Sequence, residues 1–66
     1  MKLESVARRV LAEFDEMPGL RLTPRQAARL FGLDPDVCRT VLAMLIDMAY
    51  LREHAGTISR GDRVAA

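Results

Sequence analysis

The sequence predicts a mainly helical α+β domain: three helices, a short strand between the first two, and a C-terminal two-stranded hairpin. Three observations predict it. Apolar residues recur at helical spacing over three separate stretches. Two of those stretches open with the same chemistry, a capping side chain followed by proline. The segment "YLREHAGTISRG", from Tyr50, instead alternates around Ala55-Gly56, the pattern of paired strands.

The first helix takes its apolar face from Leu3, Val6, Ala7, Val10, Leu11, Phe14 and Met17, a run of three- and four-residue steps. Pro18-Gly19 stops it. Leu20 and Leu22 then alternate around Arg21, enough for one short strand. In the second helix Thr23 caps, Pro24 takes the first helical position, and Gln26 completes a capping box with Thr23. Ala27, Leu30 and Phe31 form its expected apolar face, and Gly32 ends it in a conformation that favours glycine. Two turns of helix are not stable alone, so this element must be docked.

The third helix lies in "GLDPDVCRTVLAML", residues 32–45. Asp34 caps, Pro35 stands first, and Asp36 sits in the first turn, where the helix dipole favours an anion. At ~100° per residue, Asp36, Arg39, Thr40, Ala43 and Asp47 share one polar stripe. The opposite arc holds Val37, Cys38, Val41, Leu42, Leu45, Met48 and Ala49, with Met44 and Ile46 at its edges. In the hairpin, a turn at Ala55-Gly56 pairs Glu53 with Ile58 and puts Leu51 on the face of Ile58. Arg52, His54, Thr57 and Ser59 take the other face. One domain therefore spans residues 1–61, and 62–66 reads as a frayed tail.

Composition narrows the function. A chain of 66 residues with 50% hydrophobic side chains supports one small core, with a marginal buried fraction. Its single cysteine, Cys38, excludes a disulfide framework and a thiolate metal site. Cys38 falls on the buried arc, as a small apolar filler. His54 is the lone histidine and reads as a solvated hairpin residue, so no metal is expected. The methionines Met17, Met44 and Met48 read as core filler. Met44 and Ile46 have a second use, as contacts to a second chain. No apolar run reaches the ~18 residues of a membrane span, and no secretory signal is seen, so a cytoplasmic location is expected. One histidine, no glycine-rich phosphate loop and no paired carboxylates argue against an enzyme, and neither a cofactor nor a small-molecule site is expected. Phe14, Phe31 and Tyr50 supply no stacking platform for single strands.

The net charge is only +1, a weak signal for nucleic acid. Its distribution is more telling: between residues 20 and 33 stand Arg21, Arg25 and Arg29, with no acid.

The order of elements resembles the winged helix-turn-helix of small bacterial and archaeal transcriptional regulators. The resemblance covers roughly residues 3–60 and centres on "LTPRQAARLFGLDPDVCRTVLAMLIDMAYL". Leu22-Thr23, Ala27-Ala28, Gly32-Leu33, Val37, Leu42, Leu45 and Tyr50-Leu51 carry it. Three departures stand out: Ala49 where such proteins often have glycine, a short wing without a basic tip, and a polar stripe with two acids and one base.

The resemblance implies a DNA-binding protein, a transcriptional regulator, with the helix starting near Pro35 in the major groove of double-stranded DNA. Asp36, Arg39, Thr40 and Ala43 would then meet base edges. Thr23, Arg25 and Arg29, with Arg52, His54 and Arg60 of the hairpin, would meet the backbone. A homodimer or a partner protein would supply further specificity. The alternative is a winged-helix module for protein–protein interaction that binds no DNA. In it Asp36 and Arg39, at helix-neighbour spacing, satisfy one another, and the other arginines are a solvated surface.

Overall fold

The structure is a computed structural model, and it describes residues 2–62. The chain runs α1 (Leu3–Glu16), α2 (Pro24–Phe31), α3 (Pro35–Asp47), β1 (Leu51–His54) and β2 (Thr57–Arg60). The three helices and the antiparallel hairpin match the predicted α+β class. The rest of the expected tail, 63–66, lies outside the described residues.

The start signals act as their chemistry requires. Gln26 N–H donates to Thr23 Oγ1 at 3.1 Å, and Thr23 N–H donates to Gln26 Oε1 at 2.9 Å, a closed capping box. Asp36 N–H donates to Asp34 Oδ1 at 2.9 Å. Between the two helices Gly32 sits at φ 65°. There Leu33 N–H reaches Ala28 C=O at 2.9 Å and Gly32 N–H reaches Arg29 C=O at 3.4 Å. This paired arrangement ends α2 and turns the chain into α3 within two residues.

The core joins all five elements. Val6, Ala7, Val10 and Phe14 of α1 meet Ala27, Ala28 and Phe31 of α2, Cys38, Val41, Leu42 and Leu45 of α3, and Leu51 and Ile58 of the hairpin. Phe14 is fully buried. Its ring centre lies 6.5 Å from that of Phe31, tilted by 46°, a favourable aromatic geometry.

The hairpin register is Leu51↔Arg60, Arg52↔Ser59, Glu53↔Ile58 and His54↔Thr57, as the sequence predicts. In a two-residue hairpin, alternate pairs bond one another and the rest turn their polar groups outward. Ile58 belongs to the second kind. Its N–H donates to Leu22 C=O at 2.6 Å, and its C=O accepts from Leu22 N–H at 2.9 Å. The strand expected at 20–22 is thus reduced to one bridging residue, Leu22. On one side Leu20 N–H is held by Met17 C=O, and on the other Thr23 is already a helix cap.

Several apolar assignments are corrected. Leu30 is 56% exposed, and Ala28 takes the buried place beside Ala27 and Phe31. The reason is angular: Leu30 stands ~100° from the centre of that arc at helical spacing. Met17 and Met48 are exposed, because each follows the last residue of its helix. Met44 is also exposed, so these three methionines do not fill the core. Ala49 leaves the buried arc because the chain turns there, at φ 66°.

That turn has the hydrogen bonds of the α2 exit. Tyr50 N–H donates to Leu45 C=O at 3.0 Å and Ala49 N–H to Ile46 C=O at 2.9 Å. Here alanine holds the left-handed position that favours glycine. The hairpin turn repeats this, with Ala55 at φ 52° before Gly56 at φ 80°. A left-handed alanine costs about 1–2 kcal/mol, and glycine returns about 0.5–1 kcal/mol of that as lost chain entropy. Ala49→Gly and Ala55→Gly are each expected to stabilise by about 0.5–1 kcal/mol. Each kcal/mol raises Tm by about 4–8 °C in a domain of this size. Thermal melts followed by circular dichroism check this; an unchanged or lowered Tm in both variants would contradict the strain at these turns.

Candidate functional site

Asp36, Arg39, Thr40 and Ala43 are all exposed on one stripe of α3, as expected. Thr40 Oγ1 donates to Asp36 C=O at 3.0 Å, so its hydroxyl proton is engaged within the helix while its lone pairs stay open. Among the described residues the ion pairs are Arg52–Asp62 and Arg60–Asp15. Arg39 is in neither, so the intrahelical Asp36–Arg39 pair does not form.

The three central arginines converge. Arg25 and Arg29 of α2 and Arg39 of α3 line one open cleft of about 400 Å³ at the helix–turn–helix junction. Pro24 and Pro35, the first residues of the two helices, line it with them, as do Ala28, Gly32 and Leu33. No acidic side chain lines it; Asp34 and Asp36 both stand outside. Guanidinium groups among apolar residues in an acid-free lining make a surface suited to planar or tetrahedral oxyanions.

The start of α2 contributes less backbone than a bare helix end would. Pro24 has no N–H, Gln26 N–H is taken by Thr23, and Ala27 N–H donates to Thr23 C=O. That leaves Arg25 N–H free among the described groups of this turn. The Thr23 oxygen accepts within the capping box, and its hydroxyl proton remains available.

On its other flank Arg39 borders a second groove, between α3 and the hairpin. Leu42, Ala43 and Ile46 line it with Asp47 and Glu53. Arg39 therefore marks a boundary: basic cleft on one side, acid-rimmed groove on the other.

The hairpin residues divide. Arg60 Nε lies 3.2 Å from Asp15 Oδ1, with both side chains about two-thirds buried. This ties β2 to α1, and the charge is spent inside the domain. Arg52 lies 2.5 Å from Asp62 in an exposed pair, which contributes little to stability and opens readily. His54 is exposed beside the turn. A residue outside the expected site joins Arg52 and His54: Arg21 shares the outer face of the hairpin with them, along with Thr57 and Ser59. The bridge at Leu22 puts it there, opposite Ser59, and only the long-range pairing of residues 22 and 58 could have revealed it.

Cys38 is buried, and its Sγ lies 3.9 Å from Pro24 C=O, as an S–H donor joining α3 to the start of α2. Burial pushes its pKa up. The neutral thiol is thus favoured by folding, and that contribution is lost as the pH rises above the ordinary thiol range. Its role is packing, as the sequence suggested. No cluster of metal-binding side chains occurs among the described residues, and no helix there is long and apolar enough to cross a membrane. No protein-family model matches the chain, and no curated protein or solved structure matches it.

Proposed function

We propose that this chain is a winged-helix DNA-binding protein, acting in transcriptional regulation, that lays the first turns of α3 in the major groove. The observation that carries the reading is the convergence of Arg25, Arg29 and Arg39, none of them ion-paired among the described residues, on one acid-free cleft beside the exposed stripe of α3. The element order supports it: two capped helices joined by a tight turn, followed by a hairpin bridged back to the start of α2. A 13-residue α3 is about 20 Å long and fits a groove about 12 Å wide. Asp36 suits the amino group of cytosine, Thr40 an N–H of a base or a phosphate oxygen acting through water, and Ala43 a thymine methyl. Thr23 O–H, Arg25 N–H, Arg21 and His54 reach toward backbone. One domain of this kind covers about 600–1,000 Å², so high specificity requires a second copy or a partner.

Fluorescence anisotropy with a random duplex, across a salt series, tests this. The expected result is micromolar-range binding or weaker that declines steeply with salt and is lost in the Arg25→Ala, Arg39→Ala double variant. Absence of binding at low salt would overturn it for the isolated chain.

A second reading, a protein-interaction module, is favoured by one observation: Asp47 and Glu53 rim the apolar groove between α3 and β1. That groove repels phosphate and suits a basic apolar segment. Retention of duplex binding in the Asp47→Ala, Glu53→Ala double variant separates the readings, since removing acids should strengthen DNA binding and weaken such a partner.

A further inference from the structure

We propose that Arg25, Arg29 and Arg39 form a single clamp for one phosphate-class oxyanion, so that Arg39 holds backbone instead of reading a base. The DNA form of this proposal rests on the function proposed above; the clamp itself does not.

Position along α3 alone gives Arg39 to the bases, because it lies on the exposed stripe in the second turn. Its surroundings give it to phosphate. It lines the cleft together with two α2 arginines and with Pro24 and Pro35, the first residues of the two helices. A base edge entering there would meet three guanidinium groups and no side-chain acceptor, since no carboxylate or amide side chain lines the cleft. In the major groove guanine offers two acceptors in one plane, thymine one, adenine an acceptor beside a donor, and cytosine a donor. A phosphate offers acceptors only, in all directions, and matches a lining whose polar side chains are all donors. The free Arg25 N–H at the second position of α2 adds a backbone donor to the three guanidinium groups. The groove on the other flank of Arg39, rimmed by Asp47 and Glu53, repels the same oxyanion and confines it to the arginine side. The stripe of α3 then leaves Asp36, Thr40 and Ala43 to meet bases, and sequence preference is shallow.

Two arms test the clamp and identify the source of the phosphate. In the first, inorganic pyrophosphate is titrated into the full chain, with the arginine Nε–H and Arg25 amide signals followed by NMR. The expected result is that Arg25, Arg29 and Arg39 shift together along one saturation curve, and that Arg29→Ala weakens the response of the other two. Independent curves, or an unmoved Arg39, would overturn the clamp. In the second arm, Arg39→Ala and Arg39→Lys are compared on duplexes of differing sequence. As a phosphate contact, Arg39→Ala weakens every duplex by a similar factor, and it flattens the salt slope by less than the ~0.9 of a whole phosphate because Arg25 and Arg29 still neutralise that group, while Arg39→Lys retains the slope. A loss confined to duplexes carrying guanine at one position would instead make Arg39 a base reader and overturn the assignment while leaving DNA binding intact. A joint pyrophosphate response in a chain that binds no duplex would support the clamp with free phosphate as its source, and overturn the DNA function alone. The three side chains are exposed, so unchanged thermal melts verify that the variants fold.

Discussion

Replacing Phe14 with alanine is expected to remove much of the protein's stability at room temperature. Phe14 has no solvent exposure and carries the α1 side of the core against Phe31 of α2. Truncating such a residue costs about 3–5 kcal/mol, the transfer term plus the cavity left behind. A chain of 66 residues has a total stability of about 3–10 kcal/mol at the usual per-residue scale. The loss is therefore comparable with the whole, and α2, only eight residues long, has little stability without its docking surface. Phe14→Leu keeps more of the volume and should cost less than Phe14→Ala, though it too loses the ring pair with Phe31. Urea titrations by circular dichroism check the pair. A midpoint for Phe14→Ala as high as for Phe14→Leu would mean that the core does not depend on this contact. The comparison also matters for function, because binding lost in Phe14→Ala reflects lost fold, whereas loss in Arg39→Ala at unchanged Tm reflects lost charge.

Gly61→Ala is expected to destabilise by about 1–3 kcal/mol through overpacking. Gly61 follows β2, and its N–H donates to Tyr50 C=O at 2.8 Å, extending the hairpin pairing by one rung. A methyl group added at Gly61 would lie 2.5 Å from Ala49 C=O and 3.0 Å from the Leu51 backbone. Those are backbone atoms at the left-handed exit of α3, and they cannot swing aside as a side chain would. The matched control is Gly19→Ala, where an added methyl meets nothing within 4 Å and the backbone is not left-handed. That variant should be neutral or gain about 0.4–1 kcal/mol from a stiffer unfolded chain. Thermal melts of both decide it; equal midpoints would show that Gly61 is not needed for its lack of a side chain.

Features set by local chemistry were legible in the sequence. Thr23-Pro24 with Gln26, and Asp34-Pro35, announced two helix starts, because capping depends on residues within one turn. The register of the hairpin was legible because two-residue alternation admits one pairing that buries both Leu51 and Ile58. Features set by contacts distant in sequence were not. Leu30 reads as core by hydrophobicity, yet smaller Ala28 holds the docking position. The Arg60–Asp15 pair joins residues at opposite ends of the chain, and nothing near either announces it. The same holds for the candidate site. Each arginine was visible as a surface charge, but sorting Arg39 with the bases and Arg25 and Arg29 with the backbone followed their separate helices. Only the angle between the helices puts all three around one cleft.

The bridge between Leu22 and Ile58 has a consequence for the order of assembly. Both α2 and α3 lie between these two residues in sequence, so their pairing closes a loop around α2, the turn and α3. Loop closure carries an entropy cost that must be met before distant contacts repay it. A hairpin can form on its own in microseconds, but it stays unanchored until the helix pair has brought Leu22 into reach. The last step in folding is then expected to be a latch: two backbone hydrogen bonds that cinch the start of α2 to the end of the chain and make the helix pair and the hairpin cooperate as one unit.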